Sequence, residues 1–152
     1  MRHGWRPLQR YIEVHERVLR IHSMHMDPPK VYREEWINPN YHYLSCEQIN
    51  FTTFYGNKIR VDIRIDVDVD DSVPNRKKAK TFVYTFSAYQ PGGNPLIRYC
   101  SPHDEDHLER TAPHHRDHHK HDFTSGKEQI TIIDAELRPH VGEFLNEVLT
   151  KF

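Results

Sequence analysis

The sequence predicts a single α+β domain: an antiparallel β-meander of four to five strands, with N- and C-terminal helices packed on one face. Three observations predict it. Between Ile59 and Asp70 the residues Ile59, Val61, Ile63, Ile65, Val67 and Val69 alternate with Arg60, Asp62, Arg64, Asp66, Asp68 and Asp70. One face of this stretch is β-branched and apolar and the other is charged, as in a half-buried antiparallel strand. Turn-forming steps stand on either side, Gly56-Asn57 before it and Pro91-Gly92-Gly93-Asn94 after the aromatic stretch that follows it. Helical spacing of apolar residues is confined to the two ends of the chain. At 152 residues the chain is long enough for one core and short for two.

Taken in order, Leu8, Tyr11, Ile12, Val18, Leu19 and His22 form one stripe of a helix over 8–22, with Pro7 suited to its first turn. Pro28-Pro29 stops it, because neither residue can donate a helical hydrogen bond. Residues 30–40 are mixed; Trp36 reads as a core or interface aromatic and Asn38-Pro39-Asn40 as a turn. Tyr41 to Cys46 is a weaker strand and Ile49 to Tyr55 a stronger one, leading into the hairpin at Gly56-Asn57. After the charged strand, a polar connection with Arg76, Lys77, Lys78 and Lys80 leads to a strand whose inner face is Phe82, Tyr84, Phe86 and Ala88. Leu96 to Cys100 returns as a further strand, and Ile130 to Ile133 is extended. Pro139 opens a final helix with Val141, Phe144, Leu145, Val148 and Leu149 along one side.

Composition narrows the function. Lys plus Arg (21) and Asp plus Glu (22) nearly cancel, which argues against a surface coated in positive charge for DNA. Two cysteines, Cys46 and Cys100, make no disulfide framework. No signal-like segment and no apolar run of membrane-spanning length is present, so a cytoplasmic protein without membrane contact is expected.

The chemistry is concentrated in 101–123, which reads as a His-rich functional loop. His103, His107, His114, His115, His118, His119 and His121 fall within nineteen residues, mixed with Asp, Glu, Arg and Lys. Imidazole titrates near neutrality and also binds metals, so two chemistries compete. For a metal, His114, His115, His118 and His119 offer i, i+4 pairs if Pro113 starts a helix. For general acid–base catalysis, a histidine pair beside Arg98 or Lys120 could deprotonate a ribose 2′-hydroxyl and protonate the leaving 5′-oxygen, with no metal and no other cofactor. The third alternative is a solvated loop whose histidines hydrogen-bond to neighbouring carboxylates. Cys100, at the end of a strand beside this segment, reads as a buried thiol in preference to a nucleophile.

The succession of a charged alternating strand, the aromatic strand TFVYTFSAYQ, a return ending in LIRYC, then Pro102-His103, PHHRDHHKH and a C-terminal helix resembles the TumE family. These are small toxins of prokaryotic type II toxin–antitoxin modules. Ile97, Arg98, Tyr99, Pro102 and His103 match the first family motif. The second, a proline-histidine-histidine-lysine-histidine run, fits Pro113-His114-His115 or His118-His119-Lys120-His121, the latter completed by Lys120-His121. Cys100 and Ser101 stand where the family carries aspartate and asparagine. The resemblance implies a toxin held in check by a cognate helix-turn-helix antitoxin. The histidines themselves suggest a metal-independent ribonuclease acting on RNA: His119 and His121 as acid and base, Arg98 and Lys120 on phosphate, His103 assisting. The other class of function is a non-enzymatic module whose histidines bind metal or a partner. A homodimer is left open by the sequence.

Overall fold

The computed structural model describes residues 3–102 and 116–152. Among them the α+β class is found, with a larger sheet than the expected four to five strands. A short β1 (Arg6–Pro7) leads into α1 (Leu8–His22). The sheet then runs through β2 (Arg33–Asn38), β3 (Tyr41–Thr52), β4 (Lys58–Asp70), β5 (Lys78–Tyr89), β6 (Pro95–Cys100), β7 (His118–Asp122) and β8 (Gln129–Ile133), before α2 (Val141–Lys151). Strands β2 to β8 pair in sequence order and every pair is antiparallel, so the sheet is an uninterrupted meander. β1 adds a two-residue pairing at the start of β5.

The alternation in β4 sets the faces. Ile59, Val61, Ile63, Ile65, Val67 and Val69 are all buried. In register beside them lie Phe51, Ile49, Cys46 and Leu44 of β3 and Ala88, Phe86, Tyr84 and Ala79 of β5. Both helices cover this face. Val141, Phe144, Leu145, Val148 and Leu149 of α2 are buried, and the Phe144 ring stacks on Phe86 at 5.6 Å between centroids. Full burial of one such side chain is worth about 1.5–3 kcal/mol, so this layer supplies most of the favourable term. At the β3–β4 turn Gly56 adopts φ +82°, which a residue without a Cβ accepts without strain. None of the described helices is long and apolar enough to cross a membrane.

Four details differ from expectation. β2 is a paired edge strand although REEWIN carries no clear alternation, and Trp36 on it is 47 % exposed, with its ring against His42 at 4.3 Å. Phe82 is 58 % exposed and not on the inner face, because β5 bulges between Thr81 and Val83 opposite Val67 and Asp66. β3 bulges as well, where Gln48 takes φ +54° and its N–H donates to the Asp62 carboxylate at 2.8 Å. The largest difference lies in the expected loop over 101–123, where His118–Asp122 forms β7, an interior strand between β6 and β8.

His15 of α1 is 4 % exposed, with Nδ1 2.8 Å from the Tyr11 carbonyl and its ring 5.0 Å from that of His140. Burial pushes its pKa down from 6.5 to about 4, with smaller effects from the Tyr11 carbonyl in the opposite sense and from His140 and Arg6 in the same sense. The unfolded chain therefore binds a proton here before the folded one does, and stability is lost as pH falls from 6.5 towards 4. The expected loss from this residue is about 2 kcal/mol at pH 5 relative to pH 7. Urea unfolding at the two pH values measures it, and His15→Phe should remove that part of the difference.

Candidate functional site

The register of β6 against β7 builds the site. Arg98 lies opposite His121 and Cys100 opposite His119, while Tyr99 lies opposite Lys120 and Ile97 opposite Asp122. Successive side chains of a strand point to opposite faces, so these pairs form two separate groups. Ile97, Tyr99, Lys120 and Asp122 face the helices. Arg98, Cys100, His119 and His121 share the other face, in rows continued by Ser87 and Thr85 on β5 and by Ile130 and Ile132 on β8.

On that second face the donors are close and shielded. His119 is 0 %, Cys100 6 % and His121 8 % exposed. One donor atom from each of Cys100, His119 and His121 lies within 4.8 Å of the other two. The two imidazoles meet edge to face at 4.9 Å, and Phe123 lies parallel to His121. Each ring is also held from behind. His121 Nδ1 is 2.5 Å from Glu128 Oε1, and His119 Nδ1 is 2.8 Å from the Asp117 carbonyl oxygen. An Nδ1–H donated to such an acceptor places the ring's lone pair on Nε2. Burial pushes the Cys100 thiol up to about 11, against smaller downward effects of Arg98 and Thr85. Cys100 is a buried free thiol, the packing position expected of it.

The helix-facing group does different work. Lys120 Nζ pairs with Glu147 Oε1 at 2.5 Å, and the Tyr99 hydroxyl donates to Glu147 Oε2 at 2.6 Å. Lys120 also stands over the Tyr99 ring, and Lys151 reaches Asp122 and Glu147. These contacts tie β6 and β7 to α2. His118 belongs to the same face, stacked on Tyr84 with its Nδ1 3.0 Å from the Tyr84 hydroxyl. Desolvation, and then the nearby Arg138, lower its pKa.

Of the residues expected from sequence, the fold therefore gathers Arg98, His119 and His121. It sets Lys120 and His118 on the opposite face, apart from them. The i, i+4 helical relation expected of His118 and His119 with their upstream partners is replaced, from His118 on, by a strand. His103, His114 and His115 lie outside the described residues. Sequence reasoning did not place Cys100 among the histidines, nor Glu128 and Asp117 behind them. The available signal was the His-x-His spacing, which on a strand puts both rings on one face.

The separation of faces is testable through Lys120. Removing it leaves the part-buried Glu147 carboxylate, among the described residues, with only the longer cation contact to Lys151 at 3.6 Å, so Lys120→Ala should cost about 1–2 kcal/mol in urea unfolding. In a double-mutant cycle, Lys120→Ala and Glu147→Ala should couple by roughly 1 kcal/mol or more. Comparison of the chain with protein-family models, with curated proteins and with solved structures returned no match.

Proposed function

We propose that this chain is the toxin component of a type II toxin–antitoxin module and acts on RNA at the β6–β7 face turned away from the helices. The observation that carries this reading is the meeting there of Arg98, His119 and His121 on adjacent strands. A guanidinium recognises a phosphate through paired, charge-assisted hydrogen bonds, and its charge does not titrate in the physiological range. Imidazole groups beside it can carry a proton or hold a metal ion, and either role suits phosphodiester cleavage, where charge develops on the phosphorus-bound oxygens. The motifs that resemble the TumE toxins, LIRYC and HHKH, are the two strands that form this face. Lys120, on the other side of the sheet, supports the strand pair and takes no part in binding RNA. A cognate helix-turn-helix antitoxin is the partner in this reading.

Expression in a bacterial host without a cognate antitoxin is expected to arrest growth. Arg98→Ala and His121→Gln are expected to relieve the arrest while keeping a cooperative melt, and His25→Ala, on a distant helical turn, to leave it in place. Loss of such a group costs about a hundredfold or more in rate, enough to be visible as colony formation. Gel analysis of total RNA from arrested cells should show cleavage that Arg98→Ala abolishes. Equal arrest by wild type, Arg98→Ala and His121→Gln, all at matched protein levels, would remove the β6–β7 face from the reaction.

A further inference from the structure

Buried imidazoles raise a difficulty for direct acid–base catalysis. A general acid or base must come within hydrogen-bond reach of the proton it moves. His119, at 0 % exposed, lies beneath the surface that an RNA strand would touch. Another role fits its position better, and Cys100 points to it.

We propose that Cys100 Sγ and the Nε2 atoms of His119 and His121 are the ligands of a zinc-type metal ion. Three features of the face support this. Cys100 faces His119 across the β6–β7 pair and His121 lies two residues further along β7 on the same face, so the backbone ladder fixes their spacing. One donor atom of each residue lies within 4.8 Å of the others. Tetrahedral zinc with bonds of about 2.0–2.3 Å needs donors about 3.3–3.8 Å apart, so closing by roughly 1 Å through side-chain rotation completes the geometry. Finally, both histidines hold Nδ1 against an acceptor, Glu128 Oε1 for His121 and the Asp117 carbonyl for His119. Such outer contacts fix the tautomer and aim of a metal-bound imidazole, and a carboxylate behind the ring raises its basicity.

The donor set also selects the metal class. One sulfur and two imidazole nitrogens suit zinc or a neighbouring late divalent ion, whereas magnesium and calcium require oxygen. Binding exchanges the thiol proton for the ion, so thiolate and Glu128 together offset its two positive charges. The described residues supply three such ligands, one fewer than the four of tetrahedral zinc. The metal site does not rest on the RNA reading.

The test uses the 152-residue chain without a histidine tag, because the other histidines of the chain already chelate weakly. Metal analysis of the purified protein should find about one zinc per chain after dialysis against a weak chelator. Replacement by cobalt(II) should give the intense visible bands of tetrahedral coordination and a thiolate-to-cobalt absorption in the near ultraviolet. The thiolate absorption should vanish in Cys100→Ser and persist in Cys46→Ser, whose cysteine lies on the helix face. Glu128→Gln, at a largely exposed carboxylate, should keep the bands and weaken zinc about 10- to 100-fold in competition with a chelating dye. A cobalt spectrum without the thiolate absorption overturns the proposal, as does one carried equally by Cys100→Ser. Growth arrest is read separately. An arrest relieved by Arg98→Ala in a protein that binds no cobalt through Cys100 would keep the RNA reading and discard the metal.

Discussion

The constraint on which the structure depends is the two-residue period of a sheet whose helices cover one side only. β4 declares the faces, apolar towards α1 and α2 and charged away from them, and antiparallel pairing carries that division outward strand by strand. By the time the ladder reaches β7, the division has sorted five consecutive polar residues. His118, Lys120 and Asp122 fall to the helix face, His119 and His121 to the other. A register slip of one residue between β6 and β7 would exchange the two sets and dissolve the candidate site.

That register is held by polar contacts more than by apolar burial. β7 has no aliphatic residue, so it contributes little to the core on its own account. Its place is fixed by the ladder on both sides, by Lys120 on Glu147 and by His118 on Tyr84. The Glu147 carboxylate receives Lys120 and the Tyr99 hydroxyl together, joining both strands of the site to α2. Part-buried polar networks of this kind add specificity to a pairing that hydrophobicity alone leaves loose. The helix face thus supplies the alignment, and the opposite face carries the candidate site.

Legibility in the sequence followed the contrast between neighbouring residues. β4 and the stripe of α2 were readable because apolar and charged residues alternate there at one period. β7 was not, since HHKHD has the period of a strand but no apolar member to reveal it, and its histidines invited reading as a loop. The REEWIN strand was hidden because its two apolar residues, Trp36 and Ile37, are adjacent and do not alternate, its edge position needing no buried row. Phe82 was misplaced because one extra residue in β5 shifts the parity, and a bulge leaves no mark in composition. For the candidate site, Arg98, His119 and His121 were singled out by their chemistry together with the resemblance of LIRYC and HHKH to known motifs. Lys120 was grouped with them by adjacency in sequence, which a strand converts into opposition. Cys100 was seen as a packing residue, because its proximity to two imidazoles exists only once β6 and β7 pair.

The pairing of β6 with β7 can be measured directly with one engineered thiol. Facing residues of an antiparallel pair have Cα atoms about 4.5–5.5 Å apart, inside the range that a disulfide spans. The native Cys100 faces residue 119, whereas residue 120 projects from the opposite side of the sheet. Mild oxidation of His119→Cys should therefore form a Cys100-linked disulfide in the folded protein, identified by peptide mapping, and oxidation of Lys120→Cys should form none. A disulfide to position 120, with none to position 119, would contradict the register and with it the convergence of Arg98, Cys100, His119 and His121.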